Sequence, residues 1–490
     1  MTSNQPAATV FQNYIGGNWV ASTDGGTFEQ RNPANLDEIT GLWPACTVED
    51  ARRAIGAAEA AFPAWRALTV YRRAEYLKQA LGLMAQRRDA MARVLTLENG
   101  KTLAESKTEI DSAIREMEFQ INQGLRMGGE QLPSASDGVF AYASRAPLGV
   151  VSVISPWNFP FNVPGRKGTP ALISGNTVVF KPASLTPQTG HEFTKLFVDA
   201  GLPAGVWNFI TGGGGTVGEA LTVDPRIKAI SFTGSTAVGR RIHEKAAKIL
   251  ARTQLEMGGK NPLVVLADAD LDAAAQAAVT AAYACAGQWC TSTSRVVVEK
   301  AVAQELSERI VARVKAMRVG NGMDAGVNLG PVCGAQQLED ILRYIDIGRK
   351  EGATLACGGR RVTEGEMAQG CFIEPTVFTG VQRTMRIAQE EIFGPVLSIM
   401  VAEDFDAACD IANDVIFGLS SSIYTRDLAK AHSFAERSEV GMTHVNMHTA
   451  LKEPQFSFGG VKQSGFGVPE AGRTGIEFFT EHRVVYMKYR

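Results

Sequence analysis

The chain has 490 residues, which at about 100–200 residues per domain predicts two to four structural units. Apolar residues make up 45% and charged residues 20%, a globular balance that excludes disordered, collagen-like and disulfide-scaffold chains. Lys and Arg total 49 against 51 Asp and Glu, and a net charge of −2 supplies no basic field for nucleic acid.

Residues 1–30 carry no Lys or Arg, and no run of about 18 apolar residues occurs, so neither a secretory signal nor a membrane span is predicted and the expected location is cytoplasmic. Seven cysteines form an odd, dispersed set without a Cys-x-x-Cys, which argues against a disulfide framework and a zinc knuckle.

Thr47 to Asp50 fits a helix start signal, with helical composition through Ala61 and an expected stop at Pro63. Tyr71–Leu95 places Ala74, Leu77, Leu81 and Met84 on one stripe of an amphipathic helix. From Gly149 the pattern alternates. Gly149–Ser155, Thr177–Lys181, Val206–Ile210, Ala229–Thr233 and Gln254–Met257 read as strands, with helices over Val163–Ser174, Pro187–Ala200, Val217–Leu221 and after Ser235. Such βαβ units predict an α/β chain with a doubly wound parallel sheet, its ligand beyond the carboxyl ends of the strands. A second α/β unit follows, with strands Leu263–Leu266, Arg295–Val298, Val396–Met400, Ser420–Tyr424 and Met442–Val445 and an Ala-rich helix from Leu271 to Ala286. Val139–Arg145 and Arg483–Tyr489 fit neither sheet and read as edge strands for which another subunit supplies a partner.

Cys290 lies just past the Ala-rich helix in Gly-Gln-Trp-Cys-Thr, where small neighbours let a substrate reach the sulfur; Cys285, among alanines, reads as packing. Glu256 ends an apolar strand, where a partly desolvated carboxylate suits a general base. Asn158, in a Pro-bounded turn after a strand, suits an oxyanion donor. Gly213-x-Gly215-x-x-Gly218 matches the dinucleotide fingerprint but lacks its acidic partner. Gly234-Ser235-Thr236 opens a helix after a strand, the setting for a pyrophosphate, and Lys181 closes another strand tip. His444 and His448 are four apart without a third ligand, and no metal is assigned.

Together these segments resemble the NAD(P)-dependent aldehyde dehydrogenase superfamily across essentially the whole chain. The pieces, in family order, are Pro156-Trp157-Asn158-Phe159-Pro160, Lys181-Pro182-Ala183-Ser184, Phe232-Thr233-Gly234-Ser235-Thr236, Leu255-Glu256-Met257-Gly258-Gly259-Lys260, Gly287-Gln288-Trp289-Cys290, Glu390 through Val396, and Phe458 through Gly465. Each is short; their joint order is specific. The resemblance implies that Cys290 attacks an aldehyde, Asn158 stabilises the oxyanion and Glu256 deprotonates the water that hydrolyses the thioester. It implies cofactor contacts from Ile154, Ser155, Pro156, Trp157, Lys181, Ser184, Gly215, Phe232, Thr233, Gly234, Ser235, Val238, Gly258, Glu391 and Phe393. Ser184 departs from many NAD-preferring members, which carry Glu there, so NADP is expected to be preferred over NAD. Arg166, eight residues after Asn158, matches an Arg with which the succinate-semialdehyde branch holds its substrate's far carboxylate, while the branch's second Arg is here Ala284. The tail Met442–Gly460, with His444, Asn446, His448, Thr449 and Lys452, resembles ketoglutaric-semialdehyde dehydrogenases more closely. Glu470 is the candidate for an acidic residue that members place after Ser464-Gly465.

By the same resemblance, residues 1–125 and 147–258 form a cofactor-binding domain, 259–457 a catalytic domain, and 126–146 with 458–490 an oligomerisation arm and tail, in a homodimer or homotetramer. The competing functions are dehydrogenation of uncharged aldehydes, CoA-dependent acylation, a cysteine hydrolase and a catalytically silent protein of the same fold. Glu256 in its Glu-Met-Gly-Gly-Lys setting favours hydrolysis over acylation, and intact Cys290, Glu256 and Asn158 count against silence.

Overall fold

The computed structural model describes residues 8–490. Two twisted sheets carry the fold, each filled by short apolar strands buried on both faces. In the first, five parallel strands stand in the order Trp207–Phe209, Thr177–Lys181, Val150–Ile154, Ile227–Thr233, Arg252–Glu256. Antiparallel strands extend both edges, Asn13–Ile15 with Asn18–Val20 on one side and Gly465–Phe466 on the other. Chain order reverses between Val150–Ile154 and Ile227–Thr233, so a crevice opens beyond their carboxyl ends, where Pro156-Trp157 and Gly234-Ser235 lie.

The second sheet runs Thr354–Cys357, Thr376–Thr379, Val396–Ala402, Thr293–Glu299, Asn261–Val265, Ser420–Tyr424, Met442–Val445, parallel except at its first strand. Helices Leu271–Tyr283, Ala303–Lys315 and Ala335–Lys350 pack their apolar stripes on it. The α/β class and the strands read from sequence therefore agree with the structure to within two residues at most ends.

Four local expectations are corrected. Thr47 and Asp50 do form a reciprocal capping box, but the helix runs Val48–Ala67 through Pro63. Pro63 is exposed, so the carbonyl it strands faces water, and Trp65 pins the next turn by donating from Nε1 to the Leu172 carbonyl at 3.1 Å. Tyr71–Leu95 is two helices, Val70–Gln86 and Arg88–Asn99, which both pack on Leu103–Leu125 and so bring Leu77, Met84, Met91 and Leu95 into one core. The Ala-rich helix stops at Tyr283, because Cys285 (φ 52°), Ala286 (φ 54°) and Gly287 (φ 69°) are left-handed. Gly287 is obligatory there, since a Cβ would stand 2.2 Å from the Gly394 carbonyl oxygen.

Finally, the two supposed edge strands find their partner within the chain. Val139–Pro147 pairs antiparallel with Thr480–Lys488 over nine residues, and Glu130–Leu132 completes a three-stranded sheet. No second subunit is needed to pair them with each other.

Candidate active site

A cavity of about 620 Å³ lies between the carboxyl ends of the first sheet's strands and the amino ends of the second sheet's strands. Cys290, Asn158, Arg166, Glu391 and Phe393 line it, as do Pro156, Trp157, Thr233, Gly234, Ser235 and Gly258. Cys290 reaches it because the left-handed run after Tyr283 turns the chain sharply before strand Thr293–Glu299. Anchors hold this turn. Gln288 Oε1 accepts from the Cys333 N–H at 2.8 Å, and Asn261 Nδ2 donates to the Cys290 carbonyl at 2.8 Å. Two consecutive non-glycine residues in the left-handed region cost about 1–3 kcal/mol each, strain of the kind that a functional turn retains.

Asn158 is buried, and its Nδ2 donates to the Gln288 carbonyl at 3.0 Å, which links the turn after Val150–Ile154 to the nucleophile loop. An amide NH2 has two hydrogens, so one remains for a ligand oxygen. Burial pushes the Cys290 thiol up to about 12; Arg166 opposes the shift, while Glu391, Glu256 and Glu470 add to it. The resting sulfur is therefore a protonated thiol near neutral pH.

Glu256 ends strand Arg252–Glu256 but is not among the cavity-lining residues. It is buried, its Oε2 has no hydrogen-bond partner, and burial with the Glu470 charge holds its carboxyl well above the usual range, against the pull of Lys167 and Arg166. The strand tip itself is fixed, as the Met257 N–H donates to the Ser464 carbonyl at 2.8 Å and the Gly234 N–H to the Glu256 carbonyl at 3.0 Å.

Arg166 is 5% exposed. Its Nε lies 2.9 Å from Glu470 Oε2, off the N–H direction, and its Nη1 is buried without a partner. Glu470 also pairs with Lys167, whose Nζ donates to Ser231 Oγ at 2.9 Å. This buried Arg166–Glu470–Lys167 cluster adjoining Glu256 was only half visible in the sequence: Glu470 was a candidate by position, while Lys167 carried no signal that separates a buried lysine from a solvated one.

The remaining cofactor candidates fall in two groups. On the cavity wall, Trp157 and Phe393 meet edge to face at 5.2 Å, and the Gly259 N–H donates to Glu391 Oε1 at 3.0 Å. Burial lifts the Glu391 carboxyl to about 7. A Cβ at Gly258 would stand 1.9 Å from Glu391 Oε2, so only glycine permits that carboxylate its place. Outside the cavity lining lie Ile154, Ser155, Lys181, Ser184, Gly215, Phe232 and Val238. Of these, Ser184 Oγ donates to the Gly212 carbonyl at 3.3 Å, and a Cβ added at Gly218 would stand 3.9 Å from Lys181 Cε, which puts Ser184 and Lys181 beside the glycine-rich segment Gly214–Gly218. Lys181 is buried, and burial brings its ammonium down to about 8 with the Pro182 carbonyl as acceptor. Ser155 Oγ is buried without a partner. An unsatisfied hydroxyl and an under-satisfied ammonium at strand tips fit a ribose and a phosphate. Ser235 caps helix Thr236–Ala246 without a side-chain hydrogen bond, which leaves the amides of its first turn open.

His444 and His448 do not converge on a metal. His444 Nε2 lies 3.0 Å from the Leu451 carbonyl, whereas His448 Nδ1 accepts from the Ala450 N–H and its ring lines the cavity. Among the described residues no cluster of three metal-ligating side chains occurs, and no helix is long and apolar enough to cross a membrane.

Comparison with known proteins fixes the lineage of this site. Residues 19–485 match the Aldehyde dehydrogenase family. The chain belongs to the aldehyde dehydrogenase family. It is 41% identical over 478 residues to an alpha-ketoglutaric semialdehyde dehydrogenase of Bacillus subtilis, covering 98% of each chain. Betaine aldehyde dehydrogenase from Staphylococcus aureus, solved with NAD+, superposes with a TM-score of 0.95 at 34% identity, covering 98% of this chain and 95% of that one. An Escherichia coli structure described as an NADP dependent enzyme gives a TM-score of 0.94 at 35% identity, covering 99% of both. As an aldehyde dehydrogenase, the protein pairs aldehyde oxidation with a nicotinamide cofactor.

Proposed function

We propose that this aldehyde dehydrogenase oxidises a short anionic semialdehyde, 2,5-dioxopentanoate before succinate semialdehyde, to its acid, with NADP preferred over NAD. The observation that carries the reading is Arg166, a buried guanidinium on the wall of the Cys290 cavity with Nη1 unpartnered. The name of the Bacillus subtilis relative supports the same substrate.

The chemistry then follows from the residues. The Cys290 sulfur attacks the aldehyde carbon as its proton passes to solvent water, and the second amide hydrogen of Asn158 donates to the oxygen as it becomes an anion. A nicotinamide dinucleotide bound against Trp157, Glu391 and Phe393 supplies the acceptor for the hydride that leaves the thiohemiacetal carbon. Glu256, ionised and turned toward the cavity, takes a proton from the water that attacks the thioester, releasing the acid and the free thiol. Its high pKa suits it to accept that proton. Ser184 and Lys181 support NADP, because neither repels a 2′-phosphate.

The division at residue 258, the arm formed by 126–146 and 458–490, and the cytoplasmic location remain parts of this proposal. So does a homodimer or homotetramer: strand Thr480–Lys488 has an unpaired edge and exposes Val484, Tyr486 and Met487, suited to a second copy.

The test is the initial rate of cofactor reduction with NAD and NADP across 2,5-dioxopentanoate, succinate semialdehyde, pentanal and benzaldehyde, with Cys290→Ala as control. CoA-independent turnover favouring the anionic aldehydes with NADP supports the reading. Faster turnover of uncharged aldehydes removes the carboxylate anchor, and a lower KM for NAD than for NADP removes the cofactor preference.

A further inference from the structure

We propose that Lys452 is a second substrate-binding cation, which together with Arg166 reads the far end of the substrate, its ammonium donating to the 2-oxo-carboxylate of 2,5-dioxopentanoate. The inference rests on the semialdehyde reading above and adds a residue to which that reading gives no role.

Lys452 lines the same cavity as Cys290 and Arg166. Its Nζ lies 3.1 Å from Asn162 Oδ1 and 3.4 Å from Glu116 Oε2. An ammonium has three hydrogens, so one donor is left for the cavity. Arg166 Cζ sits 4.2 Å, and Lys452 Nζ 6.0 Å, from the centroid of Phe458, which places both cations around one ring on the cavity wall. The wall thus offers a planar fork and a point charge, two different donors suited to a group that presents a carboxylate beside a ketone oxygen.

The local charges point the same way. Arg166 and Lys167 share the Glu470 carboxylate and Lys452 pairs with Glu116, so three basic side chains meet two carboxylates, while burial and the Glu470 charge raise the neighbouring Glu256 carboxyl well above its usual range. Burial and then the Arg166 charge bring the Lys452 ammonium down to about 8, a penalty that an arriving carboxylate relieves. Lys452 also masks Glu116, which is buried and would otherwise repel an anion. Removing Lys452 therefore costs an attraction and uncovers a repulsion.

The test is the ratio of kcat/KM for 2,5-dioxopentanoate to that for pentanal, measured in wild type, Lys452→Met, Lys452→Gln, Lys452→Arg and Arg166→Met. A ratio within one preparation does not depend on the fraction of folded enzyme. A charge-assisted hydrogen bond contributes about 1.5–3 kcal/mol, so the ratio is expected to fall about 10- to 100-fold in Lys452→Met and Lys452→Gln, chiefly through KM, and to recover in Lys452→Arg. A ratio within about twofold of wild type in both neutral variants overturns the proposal. If Arg166→Met collapses the ratio while the Lys452 variants do not, Lys452 alone is excluded and the semialdehyde reading stands. A wild-type ratio below one overturns that reading and this proposal with it.

Discussion

The ammonium of Lys101 lies 2.6 Å from the backbone carbonyl oxygen of Asn158 and 2.6 Å from Glu109 Oε2, with neither charged side chain exposed. Glu109 Oε1 in turn accepts from the N–H groups of Phe161 at 2.9 Å and Asn162 at 3.2 Å. One buried ion pair therefore clamps both ends of the turn that carries the proposed oxyanion donor. Burial lowers the Lys101 pKa, but the charge of Glu109, the nearby Cys285, the hydrogen bond to Glu109 and the charge of Glu105 together raise it above its ordinary value, so the ammonium stays charged.

Lys101→Met is expected to leave the Glu109 carboxylate buried and unpaired, at about 3–5 kcal/mol of stability. Misplacing Asn158 should also lower kcat/KM by on the order of 100-fold. Urea unfolding and steady-state kinetics check both, and adding Glu109→Gln should return part of the stability. Unchanged stability in the single variant would show that the pair clamps nothing.

Glu256→Gln separates the two halves of the proposed reaction. The glutamine cannot take a proton from water, so acylation of Cys290 should proceed while deacylation slows by about 10²–10⁴-fold. Stopped-flow absorbance should show a burst of reduced cofactor stoichiometric with active sites, followed by a slow steady state. Loss of the burst along with turnover would mean that Glu256 acts before the thioester forms.

Much of this architecture was legible because its information is local. The strand Val150–Ile154 is a short, largely apolar run buried along its whole length, and the turn that follows it carries Pro156, Trp157 and Asn158 of the cavity wall. What was not legible depends on contacts remote in sequence. The pairing of Val139–Pro147 with Thr480–Lys488 joins residues more than 300 positions apart, and neither strand names the other. Lys101 and Lys167 carry no local mark of burial, because the carboxylates that pair with them, Glu109 and Glu470, meet them only when the fold closes. Pro63 read as a stop because the sequence does not reveal that Trp65 anchors the next turn.

Ser184→Glu tests the basis of the cofactor preference. The new carboxylate would sit beside the Gly212 carbonyl, which Ser184 Oγ now contacts, and face any phosphate on the adenosine ribose. Like charges in contact disfavour binding by several kcal/mol, so the KM for NADP should rise at least about tenfold while that for NAD holds or falls. Equal changes for both cofactors would place the 2′-phosphate elsewhere.

Lys260 gives a pH-dependent prediction with a definite sign. Its side chain is buried and its Nζ has no hydrogen-bond partner. Burial, then the Arg295 charge, bring its pKa down from 10.5 to about 7, against the opposing charges of Glu391 and Glu390. Between these two values the unfolded chain holds a proton that the folded chain does not, so this group's contribution to stability rises with pH through that window and is flat below it. Lys260→Met removes the group. The variant should therefore gain Tm over wild type most at pH 6–7, and that advantage should shrink steadily toward pH 9, as read by calorimetry on both proteins in matched buffers. An advantage that grows with pH would mean that Lys260 is charged and paired in the folded protein.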